Sequence, residues 1–134
     1  MDDAAPFDRE PPTVIVIEPE EATRRVICEY LKHCGYQVHE GTSADDLDAL
    51  LAARIHVDVL LADIQLLNGA EGAELSQRMK RDHPEIQVIV TYGPNGAAHS
   101  AGDLCEKLAL KKPYEPEEVL KRIRAWRPRS LRQP

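Results

Sequence analysis

Glu18, Asp63, Thr91 and Lys112 are the residues of this chain whose types could do chemistry together. Each closes a short apolar run: VIVIE (14–18), VDVLLAD (57–63), IQVIVT (86–91) and KLALKK (107–112). Two carboxylates, a hydroxyl and an ammonium in one place would suit a divalent cation and a phosphoryl group. The acids offer hard oxygen ligands, and the hydroxyl and ammonium offer donors to phosphoryl oxygens. The four meet if the runs are parallel strands of one sheet, because open α/β sheets build their ligand sites at the carboxyl edge.

The elements that must position them can be read along the chain. The first strand is expected at about 13–18. From Glu20 to Cys34, Thr23, Val26, Ile27, Tyr30, Leu31 and Cys34 recur at helical spacing, and Gly35 supplies a left-handed stop. A short strand follows from Tyr36 to Glu40, and Ser43 reads as the N-cap of a helix over 44–53 that buries Leu47, Leu50 and Leu51. The almost continuously apolar run from Val57 to Ala62 fits a central parallel strand covered on both faces. A loop with Asn68, Gly69 and Gly72 then leads into a helix at about 72–82, ended by Pro84. After the strand at 86–91, the Gly- and Pro-bearing stretch 93–102 reads as a mobile segment. The last strand is expected near 106–110, and Pro116 opens a helix running to about Trp126. Strand and helix alternate five times, the pattern of a doubly wound α/β domain.

Bulk properties narrow the function classes. The chain has 134 residues, enough for one domain with its own core and no disulfide support. Its formal charge of −6 argues against nucleic acid as a partner of the whole surface. Cys28, Cys34 and Cys105 lack metal-type spacing and read as reduced thiols, which suggests a cytoplasmic setting. His33, His39, His56, His83 and His99 are scattered and give no zinc pattern. No run approaches the roughly 20 apolar residues of a membrane span. Residues 1–12 read as a flexible acidic leader and 128–134 as a basic tail, leaving 13–127 as the domain. A stand-alone unit is the expectation.

With these residues in place, the chain resembles the receiver domains of two-component response regulators over about residues 13–127. The carrying features are Glu18 after the first strand, Asp63 after the third, Thr91 after the fourth and Lys112-Pro113 after the fifth. The CGY turn at 34–36 and the GDLCE…KKPYEPEEVL stretch further resemble stand-alone receivers of alphaproteobacteria. The resemblance implies a flavodoxin-like (β/α)5 fold, a five-stranded parallel sheet in the order 2-1-3-4-5. It implies that Asp63 accepts a phosphoryl group from a histidine kinase or phosphotransfer protein, with Thr91 and Lys112 contacting that group. It implies Mg2+ as cofactor, held by Glu18, Asp63 and the backbone carbonyl of Gln65. Ala22, Arg25 and Glu29 on the first helix would face the kinase or phosphotransfer protein, and Tyr92, Pro113 and Tyr114 would complete the partner-binding residues. Output would pass to another, unidentified protein by the chain as monomer or weak dimer, or the chain would serve as a phosphate sink.

Three positions depart from the family pattern. The family usually has two adjacent acids after the first strand, and here Glu18 is followed by Pro19, which should weaken magnesium binding. Glu20 or Glu21 is the candidate to compensate, though both are expected in the first turn of the first helix. Position 67 is Leu where the family often has proline, and position 109 is Ala where it frequently has an aromatic residue. Tyr92, beside Thr91, is the candidate substitute for that ring.

Three other readings compete with this one. A pseudo-receiver would keep the fold as an interaction module without useful phosphorylation, favoured by Pro19 and Ala109 and opposed by Asp63, Thr91 and Lys112. An aspartate-nucleophile phosphohydrolase of the haloacid-dehalogenase type wants an acid two residues after the nucleophile, where this chain has Gln65. A flavodoxin-like cofactor carrier wants a phosphate-cradling glycine loop after the first strand, and none is present. The expectation is therefore a signalling domain rather than an enzyme.

Overall fold

The computed structural model describes residues 12–63, 77–92 and 109–126. Its elements are β1 (Thr13–Ile17), α1 (Glu21–His33), β2 (Gln37–Gly41), α2 (Ala44–Ala52), β3 (Val59–Asp63), a helical segment α3 at 77–82, β4 (Gln87–Tyr92), β5 (Ala109–Lys111) and α4 (Pro116–Ala125). The strands form one sheet in the order β2-β1-β3-β4-β5. Every pairing is parallel, as expected from strands joined by helical crossovers. The fold is thus the doubly wound arrangement expected from the apolar runs and their breakers, in the flavodoxin-like strand order that the resemblance implied.

β1 and β3 are buried at every position, which is why Val14–Ile17 and Val59–Ala62 are continuously apolar rather than alternating. Two hydrophobic clusters cover the two faces of the sheet. One joins Ile15, Ile17, Leu60 and Val90 to Leu47 of α2 and Met79 of α3. The other joins Val14, Val16, Leu61 and Ile89 to Ile27 and Leu31 of α1 and Val119 of α4. Strand alternation sends neighbouring side chains to opposite clusters, so a one-residue slip of register would invert both faces.

Local sequence sets the helix ends. The Ser43 hydroxyl accepts from the Asp46 N–H at 3.2 Å and caps α2. Gly35 takes φ +101° after α1, the left-handed position anticipated from the CGY turn. Pro116 stands in the first turn of α4, where its missing N–H costs no helical hydrogen bond.

Two details differ from the sequence expectation. On α1 the buried residues are Ile27, Cys28 and Leu31, while Val26 is 57% exposed. The apolar stripe is rotated because Val26 and Thr23 border a surface groove instead of the core. The first helix begins one residue later than the expected Glu20: Glu20 is its N-cap and α1 begins at Glu21, so Pro19 belongs to the turn out of β1. The helix start expected at 72–76, the loop at Asn68–Gly72, the stretch 93–102, the leader to residue 11 and the tail from 127 lie outside the described residues.

Candidate site at the carboxyl edge of the sheet

Glu18, Asp63 and Thr91 are carried to the same edge by three adjacent strands. Ile17 pairs with Ala62, and Asp63 pairs with Thr91, so the three polar residues follow the last core rungs of β1, β3 and β4. Lys112 arrives just beyond β5, where its N–H donates to the Tyr92 carbonyl at 2.7 Å and extends the ladder by one bond. The following Lys112–Pro113 peptide is cis.

These groups meet. Lys112 Nζ lies 2.5 Å from Glu18 Oε1 and also bonds Asp63 Oδ2. Glu18 is 3% exposed and Asp63 and Thr91 are 2% exposed, so the carboxylates face each other across one ammonium with little water between. Burial opposes the charge on Lys112, but hydrogen bonds to Asp63 and Glu18 outweigh it and hold the ammonium above its ordinary pKa. Lys111, its neighbour, is exposed.

Glu18 is held on every side. Its N–H donates to the Gly41 carbonyl at 3.0 Å, and its Oε2 accepts from the Glu20 N–H at 3.0 Å. Its carbonyl accepts from Arg24 Nη1 at 2.9 Å. Glu20 points elsewhere: its Oε1 accepts from the Thr23 hydroxyl at 2.5 Å on the exposed side of α1. Among the described residues, no group of three or more acids, histidines or cysteines is gathered in a way that could hold a metal. The donors that do converge are the two carboxylates of Glu18 and Asp63. Magnesium is commonly held by one or two carboxylates while keeping several waters, so this set fits the ion in kind. Gln65 falls outside the described residues.

Beside the site runs a groove of about 460 Å³ lined by Ala22, Thr23, Val26, Ile27, Pro113 and Tyr114, and also by Glu20 and Lys112. Ala22, Pro113 and Tyr114, expected as partner-binding residues, therefore share one surface. Burial, reinforced by the charge of Glu18, pushes the Tyr114 phenol up, so it stays a neutral wall of the groove. Arg25 lies outside the groove, exposed and paired with Glu21 at 2.9 Å. Tyr92 packs against the cluster on the opposite face of the sheet and does not join this surface.

Sequence reading missed two contributors. Gly41 receives the Glu18 N–H, and a Cβ there would lie 2.6 Å from Asp46 Cβ, so the turn admits only glycine without rearrangement. Arg24, whose Nη1 donates to the Glu18 carbonyl, is the other. The available signal was its place on the buried stripe of α1, in helical phase with Ile27, Cys28 and Leu31.

Comparison with known proteins agrees with this geometry. The family described as the response regulator receiver domain matches residues 14–124. The phosphate regulon transcriptional regulatory protein PhoB of Pseudomonas aeruginosa is 27% identical over 117 residues, covering 84% of this chain and 50% of that protein. The uncharacterized transcriptional regulatory protein YkoG of Bacillus subtilis is 32% identical over 117 residues, covering 84% of this chain and 49% of that protein. The chain thus spans about half the length of these curated relatives. In fold, it superimposes on a response regulator receiver domain protein from Clostridium thermocellum with a TM-score of 0.73 at 19% identity, covering 85% of this chain and 92% of the other. A response regulator from Thermotoga maritima gives 0.71 at 20% identity, covering 86% and 96%.

Proposed function

Since the chain belongs to the response regulator receiver domain family of two-component signalling, we propose that Asp63 is its phosphoacceptor, taking a phosphoryl group from a histidine kinase or phosphotransfer protein. The observation that carries this reading is the contact of Lys112 Nζ with both Asp63 and Glu18 at the carboxyl edge of the sheet. A carboxylate oxygen of Asp63 attacks phosphorus in line, the bond from phosphorus to the donor imidazole nitrogen breaks, and the nitrogen leaves with the electron pair. Positioning and charge neutralisation do most of the work in such a transfer. Lys112 holds the Asp63 carboxylate before the reaction and pairs with the phosphoryl oxygens after it, as a compact ammonium can do without changing its stem. Thr91, next to Asp63 in the ladder, donates its hydroxyl to a phosphoryl oxygen.

Receiver domains typically bind Mg2+, and here Glu18 and Asp63 would hold it, with the Gln65 carbonyl as the third protein ligand. The ion would neutralise charge on the phosphoryl oxygens. Pro19 brings no carboxylate to the turn and Glu20 is bonded to Thr23, so a high magnesium requirement is part of the proposal. The groove between α1 and Pro113-Tyr114 is the surface on which the phosphoryl donor docks, since it opens beside Lys112 and presents exposed Val26. Output passes to another protein, or the chain acts as a phosphate sink in the cytoplasm. None of the described helices is long and apolar enough to cross a membrane.

The test is intact-mass spectrometry after treatment with acetyl phosphate, with and without magnesium, for the wild type and Asp63→Asn. A magnesium-dependent phosphoryl adduct in the wild type alone supports the reading. The second reading, an interaction module that is not phosphorylated, rests on Pro19 and gains if no adduct forms even at high magnesium or with a cognate kinase.

A further inference from the structure

We infer that Arg24 is a positioning residue for this site, acting on Glu18 through the main chain and not through its carboxylate. The inference builds on the role proposed above for Glu18 but rests on contacts of its own. The Arg24 side chain is 17% exposed, and its planar head makes two bonds at once: Nη1 to the Glu18 carbonyl at 2.9 Å and Nε to Glu40 Oε1 at 3.1 Å. It thereby ties the first turns of α1 to the end of β1 and to the penultimate residue of β2.

The Glu18 carbonyl needs such a partner. The ladder between β1 and β3 ends at the Ile17–Ala62 pair, and Glu18 lies in a buried position just past it. A buried carbonyl is almost always hydrogen-bonded, and here the donor is a side chain from the next helix. The residue that follows is Pro19, whose ring fixes its own φ and which has no N–H to anchor the turn. The orientation of the Glu18–Pro19 peptide is therefore set by what grips its oxygen. Turning that peptide changes ψ of Glu18 and, with φ of Pro19 fixed by its ring, carries the Glu20 N–H away from the Glu18 carboxylate, which then loses the bond that orients it toward Lys112.

The chemistry of the grip matters. A guanidinium delivers two N–H groups in a fixed fork to two acceptors, which a lysine ammonium on a flexible stem does poorly. By taking the carbonyl, Arg24 leaves the Glu18 carboxylate to Lys112 and to any divalent cation.

The experiment compares wild type with Arg24→Ala and Arg24→Lys, each alone and with Glu18→Gln. Two quantities are read: exchange of the Glu20 amide, which reports on the Glu18 carboxylate, and the magnesium concentration for half-maximal labelling by acetyl phosphate. Arg24→Ala should speed Glu20 exchange by about tenfold while amides of β3 keep their protection. It should raise the half-saturating magnesium by about tenfold, with a smaller effect on the rate at saturation. Arg24→Lys should fall between the two. On the Glu18→Gln background, Arg24→Ala should add nothing to the magnesium requirement. Unchanged Glu20 exchange in a folded Arg24→Ala overturns the inference, as does a full additive effect on Glu18→Gln. If Arg24→Ala does not fold, wild-type Glu20 exchange in Arg24→Lys overturns it. Should the wild type take no phosphoryl group, the phosphoacceptor reading falls, while the amide exchange still decides the role of Arg24.

Discussion

Lys112 and Glu18 form an ion pair at 2.5 Å although their strands are not neighbours: β3 and β4 lie between β1 and β5. At about 4.8 Å per strand, the gap is too wide for two short side chains. The long stem of Lys112 crosses the end of β4, and its ammonium sits between Glu18 and Asp63. This one side chain makes a single site out of three separate strand ends.

Removing the ammonium should therefore cost more than a surface charge would. In Lys112→Met two buried carboxylates lose their shared counter-charge, and a broken buried pair typically costs about 3–5 kcal/mol. Urea unfolding of the variant and wild type checks the stability, and acetyl phosphate labelling of the same samples should show a large loss of rate.

The pH dependence follows from the raised pKa of Lys112. A group whose folded pKa lies above its unfolded value stabilises fully below the unfolded value, 10.5 here, and stops doing so as pH rises through the folded value. Melting temperatures of wild type and Lys112→Met, taken from neutral pH into strong alkali, should converge at the alkaline end. A gap that stays constant would contradict the assignment.

Gly41→Ala tests the turn that receives the Glu18 N–H. The added Cβ would meet Asp46 Cβ at 2.6 Å, and relief requires moving α2 or the β2 end. A loss of about 1–3 kcal/mol is expected from such overpacking, measured by chemical denaturation. Labelling at limiting magnesium should fall as well, because Glu18 is bonded to that residue.

Pro19→Asp should restore an acidic side chain to the turn beside Glu18. The expected result is a half-saturating magnesium concentration lower by about tenfold, equivalent to about 1.4 kcal/mol. Titration of labelling against magnesium reads this directly, and an unchanged requirement would mean that position 19 does not face the ion.

Cys28 should behave as a core residue. Burial, with the charge of Glu40 adding to it, pushes its thiol up to about 11, so little thiolate exists at neutral pH. Alkylation followed by peptide mapping should leave Cys28 unmodified in the native protein and modify it on unfolding.

The convergence of Glu18, Asp63 and Lys112 was legible because each residue ends an apolar run, and parallel strands bring their carboxyl ends to one side, while the strand order was legible only through the resemblance to receiver domains. β2 was legible less sharply. It is an edge strand with mostly polar residues, and the structure places it at Gln37–Gly41 where the sequence suggested 36–40. α1 was legible as a helix but not in its facing, because Thr23 and Val26 complete an apolar pattern that in fact borders a groove. Arg24 was legible only in its phase with the buried stripe of α1, not in what it binds. Its acceptor is a backbone carbonyl, which leaves no residue-type signature, and an arginine on a helix ordinarily reads as solvated surface.

The most direct measurement of the central claim is chemical trapping of the acceptor. Protein labelled with acetyl phosphate and magnesium is reduced with borohydride, which converts an aspartyl phosphate into homoserine, and the peptide spanning 57–63 is sequenced by mass spectrometry. Homoserine at position 63 is the expected result. Labelled protein with an intact Asp63 and the reduced residue elsewhere would contradict it.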